Sequence, residues 1–325
     1  MLSTAAARIK TSSRLTKGYL IGLVGTFLWS STAVFIRYLV VNYQLPAMVL
    51  AFWRDFLVSV FLLLVYTATR PQLLRVGRTH LKFLLSYGFL LSLFNASWTY
   101  SVALNGAAIS TVLVYSSAAF TALLGWRIFR ESFGPWKILA ICLSLVGCVL
   151  VSGAWSASAW GVNPFGIMVG LISGLAFAAY SLLGKAASNR GISPWTTLLY
   201  TFGAAAAFLL IYNWLPAAWP GGTTQDLFWL GSSLAGWVVL VTLAIGPTVG
   251  GYGLYTVSLT YLPASVANLI ATLEPALTAG LAFLFLGERL TAVQLYGSLM
   301  ILAGVVLLRL RDRAAGMETP PASVP

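Results

Sequence analysis

The chain has 325 residues, of which 59% are hydrophobic and 8% charged, with a mean hydropathy of +0.88. A soluble domain carries about 25% charged residues, so this composition excludes a water-soluble globular protein and describes one that crosses a membrane many times. The net charge of +12 would suggest nucleic acid on a soluble face, but the cations fall in alternate loops and no nucleic-acid partner is expected.

The hydrocarbon core is about 30 Å thick and takes about 20 apolar residues per helix. Ten windows meet this, near 18–40, 45–69, 80–104, 107–129, 134–154, 163–187, 192–214, 234–260, 263–286 and 291–309. If the first enters from inside, sixteen of nineteen Lys and Arg lie in inner segments: Arg8, Lys10, Arg14 and Lys17; Arg70, Arg75, Arg78 and Lys82; Arg127, Arg130 and Lys137; Lys185 and Arg190; Arg309, Arg311 and Arg313. Arg37 and Arg289 lie outside and Arg54 within a helix. This positive-inside asymmetry predicts an all-α protein of ten transmembrane helices in the cell (inner) membrane, with both termini cytoplasmic. The bilayer is thus one expected partner; the oligomeric state is left open.

Residues 1–17 form a basic, Ser/Thr-rich cytoplasmic segment. The apolar run that follows is longer than twenty residues and has no small-residue cleavage site, so it reads as an uncleaved first helix. Helix 1 carries small packing positions at Gly22 and Gly25, then Trp29 and the polar trio Ser30, Ser31 and Thr32. Moving 148 residues on pairs Gly22 with Gly170, Leu23 with Leu171, Arg37 with Lys185 and Pro46 with Pro194. In later helices the offset is 157, pairing Ala107 with Ala264, Thr121 with Thr278, Leu124 with Leu281 and Glu131 with Glu288. Nine extra residues, placed in the loop after helix 7, account for the change.

The chain therefore divides into a five-helix repeat at 18–154, a second at 163–310 and a short Pro-rich tail at 311–325. Five is odd, so the second repeat runs through the bilayer in the opposite sense. Inverted repeats are a signature of secondary transporters, whose substrate site lies near the midplane between the repeats.

Cys142 and Cys148, six apart in one helix, show neither metal-ligand nor disulfide spacing; no metal and no cofactor are expected. Helix 8 is interrupted by Gly246-Pro247 and by Gly250-Gly251-Tyr252-Gly253, a break tolerated only where protein or a cavity receives the freed backbone groups. Helix 3 carries Asn95, Trp98 and Tyr100 in the matching stretch. These two helices are candidate cavity walls; close packing around glycines is the competing reading.

Inside the membrane the plainly ionisable residues are Arg54, Asp55 and Glu274, and each charge there costs at least about 2.5 kcal/mol on insertion scales. Arg54 lies about 12 Å from Pro46, and Glu274 about 16 Å from Pro263, at 1.5 Å per residue, so both come out near the midplane. One reading has them facing a central cavity from opposite repeats, pairing when it is empty and receiving a zwitterion when it is full. The other makes them a structural ion pair, or pairs Arg54 with Asp55. The aromatics Trp29, Trp98, Tyr115, Tyr180, Tyr252 and Tyr255 recur at depth, as cavity rings or as packing. Pro275, directly after Glu274, and Pro247 are candidate hinges. The candidate substrate-binding set is Arg54, Glu274, Trp29, Asn95, Trp98, Tyr252 and Tyr255.

The two-times-five plan, WSSTAVFIR in helix 1, and ALTAGLAFLFLGERL closing helix 9 with its echo FTALLGWRIFRES in the first half resemble the EamA family of the drug/metabolite transporter superfamily. The first copy departs from the pattern, with Arg130-Glu131-Ser132 where Gly-Glu-Arg is expected and Ala118 where the second half has Pro275. The resemblance implies an exporter of amino acids, related metabolites or toxic compounds. The chain has no Walker motif and a single histidine, His80, so catalysis is not expected and a proton gradient or an exchanged substrate would drive transport. Nucleotide-sugar or sugar-phosphate exchange, and a receptor or channel component, are the alternatives.

Overall fold

The computed structural model describes residues 2–156, 163–215, 226–286 and 291–315, and every regular element among them is helical. Thirteen α-helices follow one another: α1 (Leu2–Ser30), α2 (Thr32–Tyr43), α3 (Ala47–Thr69), α4 (Arg78–Tyr115), α5 (Ser117–Phe129), α6 (Pro135–Ser152), α7 (Pro164–Asn189), α8 (Pro194–Trp214), α9 (Leu234–Leu243), α10 (Val249–Ser258), α11 (Ala264–Ala271), α12 (Glu274–Leu286) and α13 (Ala292–Ala315). A short 3-10 turn (Pro71–Leu74) precedes α4, and a π turn (Ala244–Thr248) joins α9 to α10. Nine spans among the described residues are long and apolar enough to cross a membrane, and the first arm of α4 covers the remaining predicted window. The protein is a multi-pass membrane protein. The Gly-Glu-Arg turn at 287–289, most of the loop after α8 and the tail from 316 lie outside the described residues.

Most irregularities have a visible backbone cause. Helix 1 changes direction at Ser31, where the Ser30 and Ser31 hydroxyls donate back to the carbonyls of Phe27 and Leu28, each at 2.7 Å, a pattern that bends helices. The Ser30 carbonyl in turn accepts from Thr278 Oγ1 at 3.1 Å. At the π turn Pro247 has no N–H for the carbonyl of Leu243; the i→i−5 register of the turn brings the Thr248 N–H to it instead, and Thr248 Oγ1 adds a second bond at 2.8 Å.

Helix α4 is helical throughout, yet its arms double back. Ser101 Oγ and Ser110 Oγ lie 2.9 Å apart, whereas nine residues of straight helix span about 13 Å. The reversal falls where the sequence separates its third and fourth windows. The fourth span is then interrupted at Ser116, and 157 residues on the ninth is interrupted at Thr272–Leu273. The sequence reading made the halves unequal here because Ala118 stands where Pro275 does. The structure corrects that: both halves break, with or without the proline.

Packing obeys the exchange of halves. The first arm of α4 lies along α7 as α1 lies along α10, while α3 meets α8, α5 meets α11 and α6 meets α13. The correspondence reaches single residues. A Cβ on Gly22 would touch Ile270 and Ser258; a Cβ on Gly170 would touch Leu113 and Ser101, the partners being 157 residues apart in each case. Gly147 sits under the carbonyl of Gly297, and Gly304 under that of Ala140, with room for a hydrogen and no more. Small residues permit this approach where lipid gives no hydrophobic drive. Cys142 is exposed and Cys148 buried.

Candidate functional site

Three groups of polar and aromatic side chains occupy the interior. The first lies where α2, α3 and α4 meet, a little over two turns from the Pro46 end of the bundle. Arg54 is 7% exposed and Asp55 fully buried. The Arg54 Nε donates to Asp55 Oδ1 at 3.2 Å, and Asn95 Nδ2 donates to Asp55 Oδ2 at 2.8 Å. Both carboxylate oxygens are therefore occupied. A small pocket opens beside this group, lined by Ile36, Val40, Ala47, Leu50, Ala51, Arg54, Asn95, Trp98 and Thr99.

The second group is an aromatic cluster at the centre of the bundle. Trp29 lies 4.3 Å from Tyr252, 5.6 Å from Phe177 and 5.8 Å from Tyr255, measured between ring centroids. Tyr180 and Phe202 close on Tyr252 at 6.0 and 5.1 Å, both edge-on. Offset and edge-to-face rings at such distances attract beyond their buried area. The Tyr255 hydroxyl shares a 2.6 Å hydrogen bond with Ser181 Oγ, which accepts from Asn268 Nδ2 at 3.0 Å, and Asn268 Oδ1 accepts from Ser117 at 3.1 Å. This chain ties α10, α7, α11 and α5 together below the rings.

The third group is Glu274 at the first turn of α12, whose Oε2 accepts from the Tyr115 hydroxyl. Glu274 and Tyr115 both stand at the mid-span breaks, one in each half.

The seven expected site residues thus fall into different groups. Arg54, Asn95 and Trp98 line the pocket; Trp29, Tyr252 and Tyr255 build the aromatic cluster; Glu274 stands with Tyr115. Arg54 and Glu274, expected to share one cavity, hold different partners, and the local Arg54–Asp55 pairing is the one formed. Pro247 is buried in the π turn and Pro275 in the first turn of α12.

Two members stand outside the candidate set of the sequence. Asp55 appears there only as the alternative partner of Arg54; neighbouring side chains diverge by about 100° on a helix, but the Arg54 stem is long enough to curl back. Tyr115 was one aromatic among many, and its place at the mid-span break is the signal that singles it out.

The opposite end, where most Lys and Arg lie, is closed by polar clasps between the halves. Glu131, just past α5, accepts from the first free N–H groups of α11, Ala264 N at 2.8 Å and Ser265 N at 3.3 Å, and from the Ser265 hydroxyl. Lys137 Nζ reaches Ser265 Oγ at 2.9 Å and stands 3.9 Å from Glu131. Within the second half, Lys185 Nζ donates to the carbonyls of Leu259 and Leu262, each at 2.9 Å. A carboxylate on a helix N-terminus and an ammonium on terminal carbonyls are the favourable placements.

Residues 16–153 and 164–310 each match the family described as the EamA-like transporter family. An uncharacterized transporter of Archaeoglobus fulgidus is 28% identical over 65% of this chain and 70% of its own length; for others among the first relatives the share of their length is as low as 60%. A protein of Salmonella typhimurium named "Probable amino-acid metabolite efflux pump" is 24% identical over 88% of this chain and 93% of its own. A crystal structure of a protein 18% identical superposes with a TM-score of 0.74, covering 92% of this chain and 99% of that one, a likeness of fold.

Proposed function

Because this chain belongs to the EamA-like transporter family, we propose that it is a secondary transporter that exports small amphipathic metabolites, amino acids or their derivatives among them, by alternating access. The observation that carries this reading is the contrast between the two ends. A buried guanidinium borders an open pocket towards one end, while Glu131 and Lys137 of the first half clasp the start of α11 in the second at the other. The basic, clasped end is cytoplasmic on the charge rule, so this is the form that faces outward.

The conversion to an inward-facing form rocks one repeat against the other. The mid-span breaks at Ser116 and Thr272–Leu273 and the π turn at Pro247 are where backbone bonds are already missing, so bending there costs least. Substrate passes the Arg54 group and the aromatic cluster, and Glu274 exchanges its Tyr115 bond for substrate or a proton. A proton gradient or a counter-substrate supplies the energy.

Counterflow in proteoliposomes tests this, with amino acids, amines and nucleotide sugars offered in turn. Saturable exchange of amino acids or related metabolites, lost in Glu274→Gln, is the expected result. Exchange limited to phosphorylated compounds, or flux that neither saturates nor shows counterflow, overturns it.

A further inference from the structure

We propose that the pocket at Arg54 selects its ligand by a carboxylate beside a bulky apolar group and does not require an ammonium. The substrate class is then apolar monocarboxylates: oxo, hydroxy and N-acyl acids as well as free amino acids. This rests on the transporter reading and narrows its substrate.

Among the described residues, the Arg54 guanidinium has one side-chain acceptor, Asp55, and engages it through Nε alone. The paired terminal N–H groups are the face that matches a carboxylate in two parallel bonds. Asp55 fixes the fork and Asn95 fixes Asp55, so both are positioning residues: the site is ordered before ligand arrives, which lowers the entropy lost on binding.

An ammonium finds no equivalent. Of the nine lining residues none is acidic; Asp55 already gives one oxygen to Arg54 and the other to Asn95, and Glu274 lies outside the lining, held by Tyr115. Asn95 and Thr99 are neutral, able to take an amine, a hydroxyl or an amide equally. Ile36, Val40, Leu50 and Trp98 supply apolar wall for the rest of the ligand.

The repeat supports the assignment. The position equivalent to Arg54, 148 residues on, is Phe202; that equivalent to Asp55 is Gly203; that equivalent to Asn95, 157 residues on, is Tyr252. Where the first half builds a buried ionic group, the second packs Phe202 edge-on against Tyr252. Packing alone is thus met by aromatics in this frame, and the charges serve something else.

The experiment is competition against counterflow of radiolabelled leucine. The competitors are its 2-oxo acid and N-acetyl derivative, which keep the carboxylate, and its amide and the corresponding amine, which lose it. The acids are expected to compete within about threefold of leucine and the others to be weaker by about tenfold or more, the worth of a charge-assisted hydrogen bond. Arg54→Gln should abolish that preference. Ala47→Leu, which narrows the pocket without touching the ion pair, should raise KM for bulky acids more than for small ones, and keeps the test open if Arg54→Gln does not fold.

The inference is overturned if the amine competes as well as leucine, if the 2-oxo acid does not compete, or if acid selectivity survives Arg54→Gln. It is also overturned if the Arg54 effect follows anionic lipid in the vesicle, which would make a lipid headgroup the ligand. Absence of counterflow with every compound instead sinks the transporter reading itself.

Discussion

Trp29 and Phe177 occupy equivalent positions 148 residues apart, and their rings meet edge-on with centroids 5.6 Å apart and planes at 81°. A residue that touches its own counterpart lies on the axis relating the two halves. The aromatic cluster therefore marks the centre of the arrangement of the two halves. Around it the frame is symmetric in its glycines and breaks, and asymmetric in its charges: Arg54 answers to Phe202, Asp55 to Gly203 and Glu274 to Ser117.

An axial contact should accept the counterpart's residue and resist loss of the ring. Trp29→Phe is expected to leave melting in detergent nearly unchanged. Trp29→Ala removes contacts with Phe177, Tyr252 and Tyr255 together and should destabilise by about 3 to 5 kcal/mol, the cost of truncating a large buried aromatic. Comparable melting for the two variants would place the ring outside the load of the centre.

The glycine contacts between α6 and α13 make a sharper claim. A Cβ on Gly147 would stand 2.6 Å from the Gly297 carbonyl, and one on Gly297 2.7 Å from the Gly147 carbonyl, both impossibly close. Gly147→Leu and Gly297→Leu should each force the helices apart and lower the folded yield. Gly280, on α12, has nothing within 4 Å of its added Cβ among the described residues, so Gly280→Ala should leave yield unchanged or raise it, since alanine is the better helix former. Equal losses in all three would mean that glycine content, not this seam, decides the yield.

How much of this was legible beforehand follows from what a one-dimensional pattern carries. The spans, the offsets of 148 and 157 and the mid-span positions of Arg54 and Glu274 are matters of residue type and spacing, and the Gly22 and Gly170 contacts show the offsets holding atom by atom. Partners are another matter. Arg54 turns to Asp55 rather than Glu274 because a flexible stem overrides the direction of its Cα–Cβ bond, which is all that helical spacing gives. Tyr115 meets Glu274 because two broken helices align their breaks, and the break at Ser116 has no proline to announce it. The basic-end clasp was half visible: Glu131 aligned with Glu288, but its acceptance of the α11 N–H groups needs the fold.

The hydroxyl of Thr248 offers a test of backbone satisfaction. Its bond to the Leu243 carbonyl reinforces the π turn at Pro247, and Thr248 and Leu243 are both buried. Thr248→Val keeps the shape and the backbone bond of the π turn but removes the hydroxyl donor, at about 0.5 to 1.5 kcal/mol, the net worth of one hydrogen bond. The melting temperature should fall, whereas Thr242→Val, on the exposed face of α9, should change little. If Thr248→Val melts like the parent, the backbone bond alone holds the π turn.

Glu131 should set how firmly the basic end stays shut. Its carboxylate satisfies two backbone donors and one hydroxyl of the other half at once, where the α11 N-terminus would otherwise be uncapped, and helix caps are worth about 0.5 to 2 kcal/mol. Glu131→Gln keeps an acceptor but loses the charge opposite Lys137 and the helix dipole; Glu131→Ala loses everything. Hydrogen exchange of the amides of Ala264 and Ser265 reads the effect directly, and should quicken from the parent through Glu131→Gln to Glu131→Ala, while the Phe165 amide, capped by Asn163 at the opposite end, keeps its rate. On the proposed transport cycle, loss of the clasp lowers the population of the outward-facing form, and the external KM should rise in the same order. Faster exchange with an unchanged KM would make Glu131 a helix cap and nothing more; unchanged exchange would remove it from the gate altogether.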